Sequence, residues 1–180
     1  MTLSTPSPVV VRHSRLQSRY RAEPAAAMIH KHVWTRDDGH DPVHGVVVPG
    51  PYGAAWAVGI DAKVGGDDDA PNPGELLCAA LASCLDTTLR MIAAHLRVGL
   101  RSVRVDVHGE VDARGALAVD PGVRVGFRSL EAHVAYDPAP GTEPRRLDLL
   151  RDRTEDLCIT LDTLRAGVPV ELAWGAPDRG

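Results

Sequence analysis

Residues 71–96, PNPGELLCAALASCLDTTLRMIAAHL, limit the fold more than any other stretch of the chain. Apolar residues fall on almost every face at helical spacing, so a helix here needs cover on more than one side. Its start is marked by Asn72 as N-cap, Pro73 at the first helical position and Glu75 at the third. The spacing predicts a helix to about Arg97, with Gly99 ending it. A single sheet covers only one face. The other face falls to the chain's own second helix or to a second copy of the chain laying its equivalent helix back to back, and two-fold dimers are the commonest such assembly.

The rest of the chain reads as the frame for that helix. Residues 1–26 form a basic arm with Arg12, Arg15, Arg19 and Arg21, in which LQSRYRAE suits a turn or two of helix. Residues 27–180 suit one domain with its own core, since 44% of the chain is hydrophobic. Strands are expected at 27–34, 44–48 and 54–64, parted by the turn residues RDDGHDP and PGPYG. After the helix, 102–111 alternates cleanly: Val103, Val105, Val107 and Val111 on one face, Arg104, Asp106, His108 and Glu110 on the other. Residues 127–136 alternate again through Leu130, Ala132, Val134 and Tyr136. A second helix follows Glu143-Pro144 with Leu147, Leu150 and Leu157 on its inner face, then a short helix and a closing strand at 168–174. Strands segregated from helices in this order give an α+β domain with antiparallel sheets.

Charge and composition exclude several functions. A formal charge of −4 gives no global attraction to nucleic acid or to an anionic membrane, and aromatic residues at 4% supply no stacking platform for bases. The first residues lack the basic start and apolar run of a secretory signal, and no segment is expected to reach membrane-spanning length. Three cysteines, an odd number, do not read as a disulfide framework; free thiols in the cytoplasm are expected.

Two of those cysteines carry the candidate chemistry. Cys84 lies in the middle of the apolar helix, too far from its amino end for that end to ionise it, so an arginine is the expected activating partner. Arg36, Arg90 and Arg128 are the candidates. The alternative is that Cys84 is a small buried apolar residue. Cys158, in DLCITLDTLRAGVPV, stands at the start of the short helix, where a thiol facing the helix end has its pKa lowered. Cys78 is six residues from Cys84, at least ~9 Å along the helix axis and on another face, so it cannot bridge to it and reads as packing. Glu75 is about 13.5 Å of rise from Cys84; it either caps the helix or acts across a dimer interface on the partner's site. His30, His32, His40 and His44 offer a competing metal site, but their spacing matches no closed metal motif.

The segments PNPGELLCAALASC, LDTTLRMIA, SVRVDVHGEVDARG with VGF, and CITLDTLRAGVPV resemble the OsmC/Ohr family of small thiol-dependent hydroperoxide reductases over about residues 71–170. The resemblance implies an OsmC-like fold: antiparallel sheets around a long buried central helix, in an intertwined homodimer. It also implies that Cys84 attacks an organic hydroperoxide and becomes a sulfenic acid, that Cys158 resolves it as a disulfide, and that a dithiol or lipoylated protein restores the thiols. No cofactor, metal, nucleic acid or membrane is implied. Three places depart from the family pattern. Gly74 stands where the family has a glutamate, with Glu75 one step later; the arginine-bearing Gly-Arg-x-Gly segment is not recognisable; and Ile159 stands where a proline often follows the second cysteine. Those departures motivate an alternative, a non-catalytic member of the fold that binds a small apolar ligand in the dimer cleft.

Overall fold

The long helix α2 spans Pro73–Leu96, and the predicted start holds in every part. The Asn72 side chain accepts from the Glu75 amide at 3.0 Å, and the Glu75 carboxylate accepts from the Asn72 amide at 3.0 Å, a complete capping box with Pro73 at the first position. The carboxyl end differs from expectation. Arg97, with φ 55° and ψ 37°, takes the left-handed position expected of Gly99, and its amide bonds back to Ala93 and Ala94. The chain turns two residues early because Val98, only 5% exposed, is drawn into the core beside Ala93.

The computed structural model describes residues 7–36, 43–50 and 54–175, apart from the side chains of Arg36 and Pro49. The order is α1 (Pro8–Ala22), β1 (Val33–Arg36), β2 (Gly45–Pro49), β3 (Trp56–Val58), α2, β4 (Leu100–Glu110), α3 (Ala113–Ala116), β5 (Ser129–Pro138), α4 (Pro144–Leu157) and α5 (Ile159–Ala166). Strands β1, β2 and β3 form an antiparallel meander. Strands β4 and β5 form a second antiparallel sheet, in which Val105 faces Val134 and Asp106 faces His133.

The core lies between this second sheet and the helices. Leu89, Ala93, Val98 and Leu150 are buried together, with Val103, Val134 and Tyr136 of the sheet and Leu147 of α4 packed on them. A second cluster, Leu81, Leu85 and Cys158, is closed by Cys84, Val105, Val107, Leu161 and Leu164. The inward alternation of β4 is as the sequence predicts, except that Val111 lies beyond the strand and is half exposed.

Other expectations need correction. The arm contains a 15-residue helix, longer than a turn or two, started by Pro8 and joined to α2 by a 2.8 Å hydrogen bond between His13 Nδ1 and His95 Nε2. Its run of three valines disguises it as non-helical. The first strand begins at Val33 and not Ala27, since Pro24–Ala27 is a 3-10 turn, and the third ends at Val58 before another at Ala62–Val64. The turn at residues 37–42 and residues 51–53 of PGPYG lie outside the described residues. In α4, Thr154 replaces Leu157 on the inner face: Thr154 is buried with its hydroxyl donating to the Leu150 carbonyl at 2.7 Å, while Leu157 is 55% exposed. Residues 168–174 form no strand within the chain. By length (24 residues) and mean hydropathy (1.5), α2 is also sufficient to cross a membrane, contrary to the expectation that no segment is; in the folded chain β4, α4 and α5 pack on it.

Candidate dithiol site

Three local devices bring the two thiols together. Leu81, Cys84, Leu85 and Thr88 share one face of α2 by their three- and four-residue spacing, and that face meets β4 and α5. In α4 the positions 147, 150 and 154 point inward, and the same spacing continued once more delivers Cys158 to the interior, where it is 0% exposed. The chain then breaks: Cys158 has extended backbone, φ −77° and ψ 104°, and is at once the C-cap of α4 and the N-cap of α5. Both cysteines are free, as is Cys78.

Cys84 packs against the cluster that holds the buried Cys158, and the surroundings of the two thiols are unequal. Burial pushes the Cys84 thiol up, but the hydroxyl and amide of Thr160, the thiol of Cys158 and the hydroxyl of Thr88 all donate to its sulfur and outweigh that effect, so its pKa falls below the ordinary thiol value. Burial also raises Cys158. The amides of Leu161 and Thr160 work against it, but the thiol donates to Cys84 and faces the charge there, and the net direction is up. The expected lowering at a helix start is therefore present at Cys158 and overruled. Cys78 is raised by burial and by the carboxylate of Glu75, one helical turn away, in keeping with a packing role.

Two of the three arginines expected as activating partners are paired elsewhere. Arg90 makes two hydrogen bonds to Asp86, at 2.9 and 3.0 Å, and Arg128 pairs with Glu110 at 2.9 Å. The side chain of Arg36 lies outside the described residues. Glu75 is engaged in the capping box, which is the first of its two expected roles. Gly74, in the place of the family glutamate, sits under Phe127: a Cβ added there would lie 3.0 Å from the Asn72 side-chain oxygen and 3.3 Å from Phe127 Cζ. A larger residue would disturb the cap itself.

Thr160 and Thr88 were missed from the sequence. Thr88 was findable, four residues after Cys84 on one helix face. Thr160 was not, because it lies 76 residues from Cys84 and only the fold joins them. The histidines do not gather: His32 stacks on Trp34 with ring centroids 5.1 Å apart, His44 bonds Asp69 at 2.8 Å, and His40 lies outside the described residues. Among the described residues no three His, Cys, Asp or Glu side chains are placed to hold a metal. An open groove of 670 Å³ is floored by Leu81, Leu85, Leu161 and Leu164, which also pack on Cys158, and edged by Arg124 and Arg165; neither thiol lines it.

Fold and site together define an α+β protein that holds a dithiol between the middle of a long apolar helix and the amino end of a short one. The family model described as OsmC-like protein matches residues 66–173, and the chain belongs to the OsmC family. Solved structures agree in fold. An OsmC-like protein from Mycoplasma pneumoniae is 14% identical with a TM-score of 0.58, covering 78% of this chain and 89% of its own. An organic hydroperoxide resistance protein OsmC from Legionella pneumophila is 18% identical with a TM-score of 0.57, covering 77% and 91%. An organic hydroperoxide resistance protein from Elizabethkingia anophelis is also 18% identical with a TM-score of 0.57, covering 78% and 91%. No curated protein matches the chain in sequence.

Proposed function

We propose that the chain is a thiol-dependent peroxidase that reduces organic hydroperoxides in the cytoplasm, as a homodimer, within the oxidative stress response. One observation carries this reading: two free thiols, Cys84 and Cys158, packed in one cluster between α2 and α5, with the pKa of Cys84 shifted down and that of Cys158 shifted up. The Cys84 thiolate attacks the terminal peroxide oxygen, the O–O bond breaks, and the alkoxide leaves and takes up a proton as an alcohol. Cys84 becomes a sulfenic acid. The Cys158 sulfur then attacks it, forming the disulfide and releasing water. An external dithiol or a lipoylated protein reduces the disulfide by exchange. The leucine floor of the groove, whose residues also pack on Cys158, suits the organic part of a hydroperoxide.

The test is mass spectrometry after one equivalent of cumene hydroperoxide. The wild type is expected to give the Cys84–Cys158 disulfide, and Cys158→Ser a Cys84 sulfenic acid trapped by dimedone. A chain that oxidises at neither cysteine would be the non-catalytic, ligand-binding alternative, which the same groove favours.

A further inference from the structure

The leucine-floored groove and a second hollow follow one another along α2. The groove takes Leu85, Leu81 and Leu77 from successive turns of the helix, and the first two pack with Cys158. The next turn toward the helix start, Pro73 and Gly74, belongs to the second hollow, of 470 Å³, whose far side is formed by Ile60, Val64, Val111 and Ala113. Among the described residues, Gly126 and Phe127 alone line both. The Phe127 ring fills the step between them and rests on two glycines: a Cβ added at Gly109 of β4 would overlap Phe127 Cε1, and one at Gly74 would come within 3.3 Å of Cζ. Its backbone is fixed next door. The Arg128 amide donates to the Glu110 carbonyl at 2.7 Å, and the Arg128 guanidinium pairs with the Glu110 carboxylate at 2.9 Å. Each of these contacts is made within one chain.

We propose that Phe127 is a specificity-determining residue, an end wall that limits the length of alkyl chain the groove accepts, with the hydroperoxide end of that chain toward the leucines that pack on Cys158. The identity of the ligand rests on the peroxidase reading; the wall does not. From Cys84 to Leu77, the last turn of α2 in the groove, is about 10 Å of helix rise. A chain longer than that meets an aromatic ring. Beyond the ring the second hollow is again apolar, so a longer chain would be accepted there if the ring were gone. The glycines at 74 and 109 leave the space in which the ring lies, and the wall is therefore set by three positions on α2, β4 and the segment before β5.

The experiment uses two homologous series on the full, reduced chain. Unreactive primary alkanols from butanol to decanol are titrated by calorimetry, and the matching alkyl hydroperoxides are compared by kcat/KM. In the wild type, affinity is expected to rise about fourfold per methylene and to level off once the chain reaches the ring. In Phe127→Ala the rise is expected to continue through the longer members. If Phe127→Ala does not fold by circular dichroism, Phe127→Leu replaces it, with a plateau later than that of the wild type. Val111→Phe, which fills the far hollow, is expected to leave the wild-type series unchanged and to restore the plateau in the Phe127→Ala background. A ring with only a structural role would alter all chain lengths alike. A wild type without a plateau, a folded variant with the wild-type profile or a uniform loss, or a Val111→Phe that by itself shortens the series overturns the proposal. If the alkanols respond as expected while hydroperoxide leaves Cys84 unoxidised, the wall stands and the peroxidase reading fails; if hydroperoxides are reduced but neither series responds to Phe127, the reverse holds.

Discussion

Two cysteines in contact need not be equivalent, and here their inequality fixes the order of events. A thiolate is the reacting form, so each cysteine gains reactivity as pH rises through its own pKa. With Cys84 lowered and Cys158 raised, a limiting dose of iodoacetamide at neutral pH is expected to label Cys84 first. Its rate is expected to reach half of plateau at a lower pH than that of Cys158 and to fall away as pH drops through that midpoint. Peptide mapping checks the order, and preferential labelling of Cys158 would reverse the assigned roles. Glu75 is distinguished from this pair by what its loss should do. As the N3 carboxylate of the capping box it holds the start of α2, so Glu75→Ala is expected to cost about 0.5–2 kcal/mol in denaturant unfolding while leaving Cys84 alkylation unchanged. At this scale the cap at Asn72 and Glu75 was legible because it sits in a local pattern. The packing of Cys84 against Cys158 was not, because 74 residues separate them and only the fold joins them.

Helix starts were legible and ends were not. Asn72-Pro73-Gly74-Glu75 carries its own hydrogen-bonding chemistry, whereas the end of α2 is decided by the pull of Val98 into the core, which leaves an arginine in the left-handed conformation. That conformation costs a residue with a Cβ about 1–2 kcal/mol, which glycine avoids while losing part of the gain to the entropy of its unfolded chain. Arg97→Gly is therefore expected to stabilise the protein by about 0.5–1 kcal/mol, measured by denaturant unfolding; a loss of stability would show that the arginine side chain matters more than its backbone. The second helix illustrates the same limit. Leu147 and Leu150 are inward as expected, but the helix follows a 147, 150, 154 path to Cys158, and a threonine on that path did not register as a core residue. Leu150, fully buried between α2 and the sheet, holds this element in place. Leu150→Ala is expected to cost about 3–5 kcal/mol in denaturant unfolding and, through the position of Cys158, to slow disulfide formation after peroxide.

At the scale of the whole molecule, a single chain leaves much apolar surface uncovered. It exposes 13932 Å² at a mass of 19.2 kDa, against about 8400 Å² for a compact monomer of that mass, about two thirds more. The uncovered surface has a pattern. Along α2 the face opposite the core carries Ala80, Ser83 and Thr87, small residues that allow close approach of another helix. Among the described residues the β1 to β3 meander does not pack closely on α2, and Val33, Trp34 and Trp56 are exposed on it. At the other end Val168, Val170, Leu172 and Trp174 alternate as a buried strand would, yet are 59–92% exposed. The sequence predicts a closing strand here, and among the described residues the segment forms none. These three surfaces support the proposed two-fold dimer, in which a second copy would cover them. Wild-type protein is expected to sediment as a dimer at micromolar concentration. Trp174→Asp, which places a charge at the most exposed apolar site, is expected to shift that equilibrium toward monomer and to lower the melting temperature in a concentration-dependent way. A wild type that sediments as a stable monomer would show that the tail and meander fold back on their own chain, and the dimer would have to be abandoned with the cover it provides for α2.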